Sequence, residues 1–356
     1  MATFFIYKGV CMEDTKLTRQ NLLLRQSLPL DIKVGITKLR IEEFVRYYGL
    51  ENVYVSFSGG KDSTVLLHLA RELFPSIKAM FVNTGLEYPE VVEQVKLYDN
   101  VDIIRPKMSF KQVIEKYGYP VVSKTQSWYI DEVRNTNSEK LKELRTSTGT
   151  HRSYRISKKW MYLLDAPFPI SNKCCDVMKK NPAKKYEKET GRCPIIGTLA
   201  EESAMRTKQY LQTGCNSFDD KRPKSTPLGF WTEQDILQYI YENDLQIASV
   251  YGSVVLEDGV YRCTGLPRTG CMFCLFGIQY DVGYNRIQRL QVTHPNIHRY
   301  ILDVLGYRQV MDYMNLPYEI PEDELEDATP DILASIGKCC GCCDECPYRA
   351  DCKGDS

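Results

Sequence analysis

The chain has no net charge, few histidines and no long apolar run. Lysine plus arginine number 46, and so do aspartate plus glutamate. Nothing therefore draws the whole molecule to a polyanion, and any nucleic-acid contact must use a local patch. No stretch approaches the ~20 apolar residues of a spanning helix, so no membrane segment is expected. The start, Met-Ala-Thr-Phe-Phe-Ile-Tyr, reaches charge at Lys8, which is too short for the apolar core of a signal peptide. A cytoplasmic location is the expectation. Only four histidines are present. His68 falls in a helical run and reads as packed. His294 and His298 are four apart, but Pro295 lies between them and no carboxylate motif accompanies them. A histidine metal centre is therefore not expected. Repeats and low-complexity segments are absent, and the 24 tyrosines show no aromatic–glycine pattern of an RNA-recognition module.

Charge is unevenly spread. Residues 152–192 hold eleven Lys or Arg against four acids, and residues 319–331 hold seven acids and no base. The acidic run reads as a solvated linker, and the basic run as either a solvated face or a contact for a nucleic-acid backbone. Cysteine, by contrast, is abundant at fourteen. In a cytoplasmic protein these are not expected to be structural disulfides, which leaves metal, cluster or redox chemistry.

The most informative stretch is Ser56-Phe57-Ser58-Gly59-Gly60-Lys61-Asp62-Ser63-Thr64. It follows the apolar run Val53-Tyr54-Val55 and precedes Val65-Leu66-Leu67-His68-Leu69-Ala70, whose apolar residues recur at helical spacing. The order reads as strand, glycine turn, helix. The first amides of such a helix lack carbonyl partners and the macrodipole adds positive charge. Glycines let the amides close around an anion, and Lys61 adds a full charge, so the corner suits a phosphate or pyrophosphate. The spacing is not that of a Walker loop, which needs four residues between its first glycine and Gly-Lys.

Residues 31–49 read as an amphipathic helix with Leu39, Phe44 and Val45 on its apolar face. Strands are expected at 77–82, 101–104 and 193–198, with helices between. Residues 125–164 read as a polar, helical insertion, and Thr232 as a helix cap with Asp235 three residues on. Strands alternating with helices imply a parallel sheet with ligands at the strand carboxyl ends. The glycine loop lies at such an end, and so does Asn83-Thr84-Gly85-Leu86-Glu87-Tyr88-Pro89-Glu90.

Ser-Gly-Gly-Lys-Asp-Ser resembles the PP-loop of ATP pyrophosphatases. Three further blocks follow in order: Asn83 to Glu90, Gly197-Thr198-Leu199-Ala200-Glu201-Glu202-Ser203 with Arg206, and Pro227-Leu228 with Trp231-Thr232. Together they resemble the phosphoadenosine-phosphosulfate (PAPS) reductase family over residues 52–281. The resemblance implies an α/β, Rossmann-like adenine-nucleotide α-hydrolase fold with a mainly parallel sheet. The division implied is an N-terminal helical extension (1–50), a nucleotide-binding domain (51–250, with an insertion at about 125–165), a helical region carrying C-x-x-C (251–335) and a cysteine-rich tail (336–356). By the same resemblance Ser58, Gly59, Gly60, Lys61, Asp62 and Ser63 hold phosphates. Asn83, Thr84, Gly85 and Glu87 line base and ribose. Arg206 faces an anionic group, with Glu202 orienting it, and Lys61 and Arg206 are the expected catalytic residues.

Lys173-Cys174-Cys175-Asp176 pairs two cysteines with basic neighbours, and Gly270-Cys271-Met272-Phe273-Cys274 adds a C-x-x-C. Four thiolates in two pairs suit iron–sulfur or zinc ligation. The pattern resembles the four-iron, four-sulfur site of adenylylsulfate (APS) reductases and of the cluster proteins of DNA phosphorothioation systems. Lys173, Lys179 and Lys180 would offset the charge of cluster and substrate, and Cys263 is a fifth thiol nearby in sequence. The tail carries six more cysteines between Cys339 and Cys352, among which Cys343, Cys346 and Cys352 could hold a second metal ion. It lacks the Glu-Cys-Gly-Leu-His ending that carries the nucleophile of assimilatory sulfonucleotide reductases.

Two reactions stay open. In one, ATP, with Mg²⁺, adenylylates an acceptor that then receives sulfur from a partner such as a cysteine desulfurase. In the other, APS or PAPS is reduced with the help of a thiol reductant. A non-catalytic nucleotide-binding subunit is a third reading.

Overall fold

The computed structural model describes residues 17–147, 154–218 and 221–334. Ten strands are described: β1 (Val53–Ser56), β2 (Ala79–Val82), β3 (Val101–Ile104), β4 (Val121–Val122), β5 (Cys193–Ile196), β6 (Asn216–Ser217), β7 (Lys224–Ser225), β8 (Val254–Glu257), β9 (Val260–Cys263) and β10 (Leu275–Phe276). Six of them form one sheet in the order β3-β2-β1-β5-β7-β6. Every pairing in it is parallel except β6 with β7. The architecture is thus the expected α/β one, with an antiparallel edge.

The strand order explains where the site lies. From β1 the chain builds outward through β2 and β3, and only later returns to lay β5 on the other side. The crossovers therefore diverge between β1 and β5, leaving a crevice at their carboxyl ends where ligands bind in open sheets. The glycine loop leaves β1 into this crevice, and Gly197 leaves β5 beside it. A Cβ on Gly197 would stand 3.2 Å from the Asp62 carbonyl oxygen.

The N-terminal helices Arg19–Gln26 and Leu30–Tyr48 pack into the core under the sheet. Leu22, Ile41, Phe44 and Val45 join Val53, Val55 and Leu66 there, whereas Leu39 faces solvent. Buried Lys33 pairs with Asp235 at 2.7 Å, and the Trp231 indole donates to Thr37 at 2.9 Å. The helix Glu233–Glu242 starts with the Thr232–Asp235 capping box read from the sequence.

A second core holds the insertion and the C-terminal helical region together. Tyr129 and Ile130 share it with Leu275, Ile287, Ile301 and Met311. Residues 86–95 lie between the two cores, since Leu86, Tyr88 and Val91 belong to the second and Val95 to the first. The C-terminal region is not wholly helical, because it opens with the antiparallel β8–β9 hairpin. The acidic run is no linker either. Glu322–Ala334 is a helix with Glu322, Asp323 and Glu324 in its first turn, where negative charge suits the macrodipole. Ala328 and Ile332, one turn apart, are buried. The tail cysteines, among them Cys343, Cys346 and Cys352, lie outside the described residues.

Candidate active site

The glycine loop is held by its own hydroxyls. Gly59 has φ +71, and a Cβ there would stand 2.7 Å from Val91 Cγ1, so glycine is needed both for the turn and for the close approach of the helix Pro89–Lys96. The Ser58 amide donates to Ser63 Oγ at 3.1 Å, and the two serine hydroxyls are 3.0 Å apart. The Lys61 amide donates to the Tyr251 hydroxyl at 3.3 Å. Lys61 is buried, with Nζ 3.1 Å from Glu233 and 3.5 Å from Asp62. Burial alone would depress its pKa, but Asp62 and Glu233 outweigh burial and leave it raised, so the ammonium stays charged. Asp62 Oδ1 is buried and accepts no hydrogen bond among the described residues.

A cleft of ≈ 230 Å³ runs from this loop along β2. Ser56, Phe57 and Ser58 line it on one side, Met80, Phe81, Val82 and Glu87 on another, and Lys179, Thr269 and Gly270 close it. Of the turn expected to meet base and ribose, Glu87 alone lines the cleft. Its carboxylate accepts from the Thr84 amide at 3.0 Å and from the Thr84 hydroxyl at 2.8 Å. Asn83 accepts from the Gly85 amide at 3.1 Å. Asn83, Thr84 and Gly85 thus build the turn that aims Glu87.

Arg206 sits after β5, ion-paired with Glu202 as the sequence suggests. Arg268 lies 3.7 Å from the other oxygen of the same carboxylate. Burial, and then the neighbouring Arg268, lower the Arg206 pKa. Two guanidiniums on one carboxylate leave net positive charge beside Asp62.

The two cysteine pairs come together. Cys174, Cys175, Cys271 and Cys274 line one small pocket with Leu86, Phe110, Met178, Lys179 and Phe273. Backbone pairing explains the convergence. Residues 119–122 pair with Ile170 through Tyr119 and with β10 through β4. Ile170 lies just before the Cys174–Cys175 pair, and Leu275 directly follows Cys274. The Met272 amide also donates to Leu86 O at 2.8 Å, which fastens the C-x-x-C loop to the nucleotide turn.

The Cys174 thiol donates to the Cys175 sulfur at 4.0 Å. That hydrogen bond raises the Cys174 pKa and draws Cys175 down to about 6, helped by Lys124 and Lys179. Burial pushes Cys271 up to about 11. Lys179 stands between pocket and cleft, lining both. Burial would lower its pKa, but Cys271 and Glu87 more than reverse that, and its Nζ is 3.3 Å from Glu87. Among the described residues no group of three or more His, Cys, Asp or Glu side chains is gathered as a metal-ion site.

Cys263 is not in this pocket. It ends β9, where Lys61, Glu233 and Asp62 act on its charge. His68 is half-exposed and meets the Tyr239 hydroxyl at 2.9 Å. His294 and His298 are buried but face different partners, Glu90 at 3.3 Å and the Tyr318 carbonyl at 2.7 Å. Sequence reading missed Tyr251, which no motif marks, and Arg268.

A parallel α/β sheet with a glycine–lysine loop at its switch point and a thiol pocket beside it defines a nucleotide-binding protein of the PP-loop class. The family model for the phosphoadenosine phosphosulfate reductase domain matches residues 52–275. The chain belongs to that family. An uncharacterized protein of Methanocaldococcus jannaschii is 25% identical over 259 residues, covering 71% of this chain and 47% of that one. The chain thus spans about half the length of that relative. The adenosine 5'-phosphosulfate reductase of Geobacillus kaustophilus is 25% identical over 230 residues, covering 64% of this chain and 74% of its own. Among solved structures, the phosphoadenylyl-sulfate reductase of Candida auris in a phosphate complex is 14% identical with a TM-score of 0.35, covering 65% of this chain and 90% of its own. Among the described residues no helix is long and apolar enough to cross a membrane.

Proposed function

We propose that the chain is an enzyme of sulfur metabolism that adenylylates an acceptor with ATP and passes sulfur to it, with the four-thiol pocket holding an iron–sulfur cluster of the 4Fe-4S type. One observation carries this reading: Lys179 lines both the cleft at the phosphate loop and the pocket of Cys174, Cys175, Cys271 and Cys274. The anion end and the thiol end then serve one reaction centre.

The loop and Lys61 hold the β and γ phosphates. An acceptor oxygen attacks the α phosphorus, and the bond to pyrophosphate breaks. The Lys61 ammonium stabilises the charge that pyrophosphate takes away. A sulfide or persulfide then attacks the carbon bearing the adenylylated oxygen. A carbon–sulfur bond forms, the carbon–oxygen bond breaks and AMP leaves. Where a persulfide attacks, a thiol reductant then cleaves the resulting disulfide, taking the donor's remaining sulfur into a mixed disulfide and leaving the acceptor as a thiol. A partner such as a cysteine desulfurase supplies the sulfur. Arg206 and Arg268 face the anionic end of nucleotide or acceptor. The acceptor is a small molecule or a nucleic acid that meets the exposed lysines of residues 152–192 through its phosphates.

The donor types, though not gathered as a metal-ion site among the described residues, suit the implied groups. Four thiols in a pocket with Lys124 and Lys179 acting on them suit a soft, anionic cluster, which when bound would carry sulfur or order the site. The Asp62 oxygen, which accepts no hydrogen bond among the described residues and meets only the Lys61 ammonium at 3.5 Å, suits Mg²⁺, which would screen the phosphates.

A second reading is reduction of APS or PAPS. The adenosine 5'-phosphosulfate reductase among the relatives favours it. A thiolate would attack the sulfur of the substrate, forming an S-sulfonate and releasing the nucleotide. A thiol reductant would then free sulfite and leave a disulfide. In that case the loop holds the substrate's own phosphate.

Incubation of anaerobically purified protein with ATP, and separately with APS and PAPS, distinguishes the readings. Pyrophosphate release stimulated by a nucleic acid or small acceptor supports transfer. Sulfite release with thioredoxin supports reduction. Neither product from fully loaded protein contradicts both.

A further inference from the structure

Tyr251 has no part in either scheme, yet it occupies the centre of the phosphate loop. Its side chain is buried, and its hydroxyl is 2.6 Å from Thr269 Oγ1 while it accepts from the Lys61 amide at 3.3 Å. The Lys61 ammonium lies 6.0 Å from its ring, and a Cβ on Gly60 would stand 3.2 Å from its oxygen. Thr269 is two residues before Cys271 and lines the cleft itself. One phenol oxygen therefore touches both the first helical amide of the loop and the segment that delivers the C-x-x-C pair.

We propose that Tyr251 is a positioning residue that couples anion binding at the glycine loop to the reactivity of the Cys271 thiol, through its shared hydroxyl contacts with Lys61 and Thr269. The inference rests on the reading that the loop takes a phosphate. An amide has a single proton to donate. A phosphate oxygen is a charged and stronger acceptor than a phenol, so the two compete for the Lys61 N–H. When phosphate wins, the phenol reorients on Thr269, and the backbone leading to Cys271 feels the change. Linkage makes this reciprocal: whatever fixes the C-x-x-C loop must alter anion affinity by the same factor.

The probes are pyrophosphate, followed by titration calorimetry, and iodoacetamide, followed by mass mapping of Cys271, both on metal-free, reduced full chain, where no ligand bond shields the thiol. In the wild type, saturating pyrophosphate is expected to change the Cys271 alkylation rate about threefold or more. Tyr251→Phe removes the competing acceptor. It is expected to bind pyrophosphate about 2–10-fold more tightly, the worth of one net hydrogen bond. In that variant the Cys271 rate no longer responds to pyrophosphate. Thr269→Val, which leaves the phenol in place but also alters the cleft wall, is expected to lose the response at saturating pyrophosphate whatever its own affinity, and it serves if Tyr251→Phe folds poorly. Pyrophosphate binding without any change at Cys271 in the wild type, or a response that survives in both variants, overturns the link alone. A wild-type chain that binds no pyrophosphate overturns the loop reading and the link with it.

Discussion

The phosphate corner and the thiol pocket are neighbours built on opposite plans. The corner comes from one continuous stretch, Ser56 to Thr64, whose strand, glycine turn and helix carry their own geometry. The pocket comes from two distant segments that meet only because residues 119–122 pair with both. The corner's charge is fixed by Lys61 against two carboxylates. The pocket's charge is adjustable, since its thiols titrate over a wide range. A local motif can therefore carry its own backbone geometry, whereas the thiols depend on the packing of the whole second core.

If the two plans are energetically separate, each can be broken alone. The largest effect is expected from Lys61→Ala, which leaves Asp62 and Glu233 without their cation. Loss of about a hundredfold in pyrophosphate affinity by calorimetry follows from removing a buried charged partner, which costs about 2–5 kcal/mol. Bound metal per chain should not change. Lys179→Met sharpens the comparison because this side chain touches both regions. About tenfold loss of nucleotide affinity together with reduced metal content is expected, since charge-assisted hydrogen bonds contribute about 1.5–3 kcal/mol. A variant that loses one property and keeps the other would show that the regions are merely adjacent.

The smallest effect is a difference in pH response within the pocket. Only the thiolate is alkylated, and it forms as pH rises through the pKa. In metal-free, reduced protein, mass-mapped alkylation of Cys175 should rise with a midpoint at about 6, and that of Cys271 at about 11. Acid should also release thiol-bound metal, at a pH below that midpoint, because the metal holds the thiolate against protonation. Equal midpoints for the two cysteines would contradict the pairing of Cys175 with Cys174.

The contrast also governs what could be read from the sequence. β3 and the Thr232–Asp235 cap lie where apolar runs and capping chemistry place them, because both are local signals. The convergence of the cysteine pairs was legible from ligand chemistry, but its mechanism was not. β4 and β10 are two residues each, too short for any periodicity to register. The same holds for β6 and β7 at the sheet edge. Lys179 was expected near cluster and substrate from its place beside Cys174 and Cys175, but only the fold reveals it between Glu87 and Cys271, lining cleft and pocket together. The acidic run looked like a linker because its buried residues, such as Ile320 and Ala328, are sparse beside its charges. Tyr251 was one tyrosine among twenty-four. Its role depends on contacts with Lys61 and Thr269 that sequence spacing does not encode.

In the proposed function, the cleft at the glycine loop and a metal-bearing thiol pocket form one centre joined at Lys179. Anaerobically purified protein should be brown, with a charge-transfer band at about 400 nm that disappears in Cys271→Ser, as cysteine-ligated iron–sulfur clusters require. Addition of ATP or APS should perturb that band in the wild type and not in Lys179→Met. A colourless chain carrying zinc or no metal, or a band indifferent to both nucleotides, would contradict the account.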